Sequence, residues 1–434
     1  MRILDNPKSA ALYQRALQVM PGGNTRTTVY RQPHQVYAVR GEGCRIVDVD
    51  GNVRIDANGN FTSLIHGYGN AKVALAASRQ LELGTCFGMA TESEILLSEM
   101  LCDRLPSVEK LRYTNSGTEA VMNAIKAARA YTERPKIAKC EGAYHGTYDP
   151  AETSQDARPD NWGPADEPQA VPTARGTPRG VLDDMVVIPF NNVEVSEKIL
   201  RASGNSLAAV LVDVMPNRAG LVPASAEFLA MLRQVTRELG ALLILDEVIT
   251  FRLGFNGAQG RFNVDPDLTT LGKVIGGGFP VGAVGGKTDV MSVFDPSKGA
   301  PALPHGGTFS ANPMSMAAGA AALEDLTAVE FERLEALGSR FDQGIGHCFS
   351  HNKIDAQVTG LGSLRRVHLS DAKLTDYRST LAAGEKKVAA LARALFDQGV
   401  IIGGNGLMAF STAMSASDID EIVDAFDRAL KTIA

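Results

Sequence analysis

Five short runs of apolar and β-branched residues, at 110–115, 136–141, 185–190, 207–215 and 241–248, punctuate the middle of the chain. Between them, apolar residues recur at helical spacing. That alternation predicts an α/β fold whose large domain is a mostly parallel sheet. In such sheets ligands gather beyond the carboxyl ends of the strands. Asn115, Tyr144, Asp213 and Asp246 all fall at those ends, so one shared site is expected there.

The flanks read differently. Short alternating strands at 44–48 and 53–56 surround an Asp50-Gly51 turn, and the chain's end mixes helices with short strands. A smaller α+β domain drawn from both termini is expected, with residues 1–69 and 312–434 forming it and 70–311 forming the large domain. The stretch 149–182 is rich in Pro, Asp, Ala and Gly and lacks periodicity. It reads either as a disordered insertion or as a lid over a site.

With 434 residues, 44% of them hydrophobic and 21% charged, the chain has ample material for a large core. A formal net charge of -6 argues against a general nucleic-acid binder, which needs a basic face. Cys44, Cys86, Cys102, Cys140 and Cys348 show no C-x-x-C spacing, so neither a zinc site nor a disulfide framework is indicated. No apolar run approaches the roughly 20 residues of a membrane helix, and the start lacks an apolar leader core. No membrane association and a cytoplasmic location are expected.

Lys273, among glycines in Leu271-Gly-Lys-Val-Ile-Gly-Gly-Gly278, follows the apolar run that ends at Asp246. A lysine that forms a Schiff base needs an accessible amine, and a pyridine ring used as an electron sink needs a fixed anion at its nitrogen. Lys273 and Asp246 can supply both for pyridoxal phosphate. Taken singly, each also fits an ordinary surface lysine or a helix cap.

Three further segments bear on a phosphate and a ring. Tyr113-Thr-Asn-Ser116-Gly-Thr118-Glu119-Ala turns from a strand into a helix, with Ser116 and Glu119 spaced as a capping box, and free N–H groups at such a start can seat a phosphate. Tyr144-His145-Gly146 puts an aromatic ring at the same sheet edge, where it can stack on a pyridine, and Val248 is expected on the same side of its strand as Asp246, closing the opposite face. His305-Gly-Gly-Thr308-Phe-Ser-Ala-Asn-Pro313 offers a second set of donors before an Ala-rich helix. A nucleotide-binding loop is excluded, because Gly286-Lys287-Thr288 would need glycine where Val281 stands, and no G-x-G-x-x-G opens a helix after a strand.

In order and approximate spacing, the segments starting at Asn115, Tyr144, Leu245, Thr270 and Gly307 resemble the class III pyridoxal-phosphate aminotransferases over nearly the whole chain. Met20-Pro-Gly-Gly-Asn24 and Asn256-Gly-Ala-Gln-Gly260 are most similar to the subgroup of glutamate-1-semialdehyde 2,1-aminomutase and β-amino acid aminotransferases. The resemblance implies a type I fold with pyridoxal 5'-phosphate as cofactor. Lys273 would form the internal aldimine and shuttle protons, Asp246 would pair with the ring nitrogen beside His145, and Tyr144 and Val248 would flank the ring. Ser116, Gly117 and Thr118 would seat the phosphate. Thr308 would reach it from a neighbouring subunit, giving a homodimer with shared sites. Arg26 would grip the substrate carboxylate, since a guanidinium binds a carboxylate through two parallel hydrogen bonds, and Phe61 and Ser63 would line the pocket.

Departures from the family pattern bear on the reaction. Asp213-Val-Met-Pro-Asn-Arg218 replaces the usual Glu-Pro and brings a new charge. The segment around Thr250–Arg252 is one residue shorter than in the aminomutases. Residues 403–408 lack both the acidic residue of the aminomutases and the second arginine of some dicarboxylate aminotransferases. The expected activity is therefore transfer of an amino group from a carboxylate-bearing amine, with β-amino acids among the candidates, to a 2-oxo acid. Intramolecular amino transfer as in the aminomutases is the alternative, followed by racemisation. A cofactor-binding regulator without turnover is disfavoured by Lys273.

Overall fold

The computed structural model describes residues 6–433. They fall into two compact units, one made of the residues up to 70 with 332–371 and 383 onward, the other of 71–331 with 372–382. In the first, Ala38–Glu42, Arg45–Asp48 and Val53–Asp56 pair antiparallel, and Val400–Ile401 adds parallel to the third. Gln357–Thr359, Leu364–His368 and Leu407–Ala409 form a second, antiparallel sheet in that unit.

Seven strands organise the larger unit: β1 Lys110–Thr114, β2 Lys136–Cys140, β3 Met185–Ile188, β4 Leu207–Val212, β5 Leu242–Asp246, β6 Leu268–Gly272 and β7 Gly282–Gly286. Their order is β1-β7-β6-β5-β4-β2-β3, and β7 alone runs antiparallel to its neighbours. β4 and β5 are buried along their whole length, which is why they read as unbroken apolar runs. β6 and β7 carry no such signature. β6 holds two threonines, and β7 holds three glycines at positions of close approach. A Cβ at Gly282 would sit 2.1 Å from the Ser116 carbonyl oxygen, and one at Gly286 would sit 2.3 Å from that of Asp267.

The helix Gly117–Thr132 follows β1 directly and buries Ala120, Val121, Ala124, Ile125, Ala127 and Ala128, a helical stripe laid on the sheet. Pro313–Asp325 also belongs to the larger unit, so the units divide at 331/332 rather than at 311/312. Close backbone contact is the reason: a Cβ at Gly319 would meet the Ile275 carbonyl oxygen at 2.1 Å, and one at Gly277 would meet that of Ala318 at 2.4 Å. This helix therefore presses on the turn that begins at Lys273.

The stretch 149–182 is neither an open loop nor a disordered insertion. Ser154 N donates to Val171 O at 2.7 Å, and Thr173 Oγ1 donates to Glu152 O at 2.7 Å. Ala157, Ala219 and Tyr377 form a buried cluster against which Trp162 packs. Arg378 fastens the segment from the 372–382 excursion. Its Nε and Nη2 donate to Glu141 at 2.7 and 2.9 Å, its Nη1 donates to Gly163 O at 3.0 Å, and its guanidinium lies 4.5 Å from the Trp162 ring. Periodicity missed this order because it rests on tertiary hydrogen bonds to single side chains. Among the described residues no helix is long and apolar enough to cross a membrane.

Glu141 is 3% exposed, so removing its partner leaves a buried carboxylate uncompensated. Arg378→Ala is expected to lower unfolding free energy by about 3 kcal/mol, and Glu141→Gln/Arg378→Met by clearly less. Urea denaturation checks this; equal losses would show that the charge pair is not what holds the 149–182 stretch.

Candidate active site

Ser116, Asp213, Asp246 and Lys273 lie at the carboxyl edge of the larger unit's sheet, at or just beyond the end of a strand, and Tyr144 and His145 stand in the loop that follows β2. Asp246 ends β5 and is 5% exposed. Its Oδ1 accepts from Val248 N at 3.0 Å and from Thr270 Oγ1 at 3.0 Å, and its Oδ2 faces His145 Nδ1 at 2.7 Å. Burial holds the His145 imidazole below its ordinary pKa despite that carboxylate. A neutral ring beside an anion places its proton on Nδ1, so His145 donates to Asp246.

Asp213 follows β4, the neighbouring strand. Burial and the Asp246 charge push its carboxyl up to about 8, while Met215 N donates to its Oδ1 at 2.9 Å. Two carboxyls at adjacent strand ends do not both ionise cheaply. The three donors converging on Asp246 assign the charge to it.

Lys273 is half-buried and opens the turn after β6 with φ +52°, a left-handed conformation unusual for a side-chain-bearing residue. Burial draws its amine down to about 8, against the opposing pull of Asp246 and Asp213 and with help from Arg252. An amine with an appreciable neutral fraction near physiological pH is a competent nucleophile.

At the end of β1, Ser116 caps the helix, its hydroxyl accepting from Glu119 N at 3.2 Å. Glu119 Oε2 in turn accepts from Asn115 N at 2.6 Å, one residue earlier than a standard capping box. The first intrahelical bond is Ala120 N to Ser116 O, leaving the N–H groups of Gly117 and Thr118 ahead of it. A Cβ at Gly117 would sit 2.7 Å from Val248 Cγ1, and one at Gly146 would sit 2.6 Å from Thr118 Oγ1. Thus the helix start, Val248 and the Tyr144-His145-Gly146 loop converge. Val248 is not on the β5 strand but in the turn beyond it, where its N–H serves Asp246. Tyr144 presents an exposed ring from that loop, and Thr308 stands exposed in the loop before Pro313.

In the terminal unit, Arg26, Phe61 and Ser63 come together. Arg26 Nη1 donates to Asn60 Oδ1 at 3.0 Å, its guanidinium lies 5.7 Å from the Phe61 ring centroid, and Asn60 Nδ2 donates to Ser63 Oγ at 3.3 Å. Asn60, Phe61 and Thr62 all have positive φ, a strained turn of the kind found at functional sites. Arg31 and Arg40 are engaged elsewhere, over Phe396 and with Glu42. The charge introduced at Arg218 pairs with Asp156 at 3.2 Å.

Sequence reasoning missed Thr270, Arg252 and the buried Glu247. Glu247 accepts from Ala258 N at 2.6 Å and from Gln259 N and Nε2 at 3.0 Å. Thr270 lies within β6, whereas Glu247 and Arg252 follow the end of β5, where nothing in the local sequence marks them.

Residues 28–430 match the model for aminotransferase class-III. A glutamate-1-semialdehyde 2,1-aminomutase of Aquifex aeolicus is 35% identical over 98% of this chain and 100% of its own length. Among solved structures, an omega-transaminase from Sphaerobacter thermophilus is 48% identical with a TM-score of 0.95, over 98% of this chain and 97% of that one. A beta-phenylalanine aminotransferase from Variovorax paradoxus is 32% identical with a TM-score of 0.86, over 98% and 93%. The fold and site thus define a pyridoxal-phosphate-dependent enzyme of fold type I. The chain belongs to the class-III aminotransferases. Its residues fit that cofactor: a buried, hydrogen-bonded anion, a depressed lysine amine and a glycine-lined helix start stand at one sheet edge.

Only the neutral amine attacks a carbonyl, and the Lys273 amine loses its proton near pH 8. Reductive methylation of Lys273 by formaldehyde in cofactor-free protein should therefore rise with pH and level off above about 8, while ordinary lysines keep rising towards about 10.4. Asp246→Asn removes a charge that raises the Lys273 pKa, so the plateau should begin at lower pH. Peptide mass spectrometry reads both; a Lys273 profile matching surface lysines would contradict the burial argument.

Proposed function

We propose that the protein transfers an amino group from a carboxylate-bearing amine to a 2-oxo acid, with β-amino acids as the donor class. The 48% identity to the omega-transaminase, over nearly the whole of both chains, carries this reading. Similarity to the beta-phenylalanine aminotransferase supports the donor class.

When bound, pyridoxal phosphate supplies an aldehyde that captures amines and a ring that accepts an electron pair. Asp246, held by three donors, keeps a negative charge fixed for the ring nitrogen. Lys273 would hold the cofactor, and its Nζ would take and return a proton. Tyr144 and Val248 would flank the ring, while Ser116, Gly117 and Thr118 would offer hydroxyl and N–H donors to the phosphate. Arg26 orients the carboxylates of donor and acceptor in turn, with Phe61 and Ser63 beside it.

The same reading includes a homodimer with shared sites, in which Thr308 serves the neighbouring copy. In its support, large apolar side chains at Leu81, Leu83, Phe87, Met89, Ile95 and Phe309 are exposed, and Asn312 Nδ2 donates to Thr85 O at 2.9 Å, tying the Thr308 loop to that region. A cytoplasmic location is part of the proposal.

Intramolecular amino transfer is the second reading, favoured by the full-length similarity to the aminomutase. A β-amino acid donor given without acceptor should bleach the visible band of the holoenzyme, and product should accumulate only when a 2-oxo acid is added. Turnover without acceptor would favour the aminomutase. Lys273→Ala should abolish both the lysine-linked band and turnover; normal cycling would overturn the reading. Arg26→Ala should raise KM for carboxylate substrates roughly 10- to 100-fold, the value of a charge-assisted bidentate contact, and leave amines lacking a carboxylate nearly unaffected.

A further inference from the structure

A lysine with no exposed surface lies beneath the site, on β2. Lys139 is 0% exposed, and its Nζ donates to the Ala143 carbonyl oxygen at 2.9 Å and to the Thr153 carbonyl oxygen at 2.6 Å. These bonds go to backbone carbonyls rather than to a carboxylate. Burying an amine is costly, and here it draws the bonded carbonyls at both ends of one loop onto a single nitrogen.

That loop carries Tyr144, His145 and Gly146. Beside the lysine, Gly142 N donates to Ser154 O at 2.9 Å, closing the same base. Within the loop, His145 reaches Asp246, and Gly146, with φ +92°, abuts Thr118. Rotation of the Ala143 carbonyl would turn the next peptide, and with it the direction of the Tyr144 ring and the His145 donor.

We propose that Lys139 is a positioning residue: by pinning the carbonyls of Ala143 and Thr153 it fixes the loop that presents Tyr144 to the cofactor and His145 to Asp246. This rests on the cofactor-binding roles proposed above for Tyr144 and Asp246. The pin does not depend on charge, because ammonium and neutral amine each have the two N–H groups the carbonyls need. Burial draws the amine down to about 7, so both forms occur near neutrality.

Lys139→Met keeps the length and removes the donors, whereas Lys139→Gln keeps one amide donor group. In Lys139→Met the dissociation constant of pyridoxal phosphate, measured by equilibrium dialysis with Lys273 intact, should rise about tenfold, the order of one lost hydrogen bond, with a smaller rise in Lys139→Gln. The induced visible circular dichroism of the bound cofactor should change. Amide hydrogen exchange in the cofactor-free protein should quicken within 143–153 and not in the Gly117–Thr132 helix. If both variants bind within twofold of the parent with unchanged dichroism, the proposal is overturned; should Lys139→Met not fold, Lys139→Gln decides by the same threshold. A Lys273→Ala protein that retained the lysine-linked band would instead overturn the cofactor assignment, which separates the two failures.

Discussion

The arrangement of the site depends on one carboxylate kept charged in a place that disfavours charge. Asp246 is nearly out of contact with solvent, yet a hydroxyl from β6, an N–H from the turn beyond β5 and an imidazole from the loop after β2 all point at its two oxygens. These donors replace the water that the group gives up. They come from three separate segments, so the anion can be held only once the sheet has assembled in its β2-β4-β5-β6 order. Thr270 is the register partner of Asp246 across that sheet, which ties the chemistry of the acid directly to strand pairing.

The neighbouring groups then divide their protons around that fixed charge. Asp213, on the next strand, has only a single backbone donor and is pushed towards the neutral acid. Lys273 feels burial in one direction and two acids in the other, and settles where its amine is available. His145, neutral and donating, strengthens the acid without adding a positive charge next to it. The set is one anion, one neutral acid, one neutral imidazole and one poised amine; hydrogen-bond donors set the first of these states, and burial sets the other three.

Much of this was legible in the chain, and the limits have identifiable causes. The five apolar runs marked β1 to β5 and put Asn115, Tyr144, Asp213 and Asp246 at one sheet edge, while its glycine-rich setting singled out Lys273. β6 and β7 stayed hidden because threonine and glycine carry little apolar signal. At Gly282 and Gly286 the absence of a side chain is what the packing needs. Val248 was assigned to the strand by two-residue spacing, but β5 ends at Asp246 and a turn delivers Val248 to Gly117 instead. The 149–182 stretch offered no periodicity because Arg378, more than two hundred residues away in sequence from the strand end it grips, supplies its order. Contacts of that range leave no local trace.

The excursion 372–382 has a practical consequence for dissecting the molecule. Chain on either side of it belongs to the terminal unit, while Tyr377 lies against Gly142 and Arg378 neutralises Glu141 within the larger one. A fragment cut at 331 would contain the whole seven-stranded sheet and still lack eleven residues that complete its wall. Expressing the larger unit independently would require supplying that short peptide, either fused through a designed linker or added in trans.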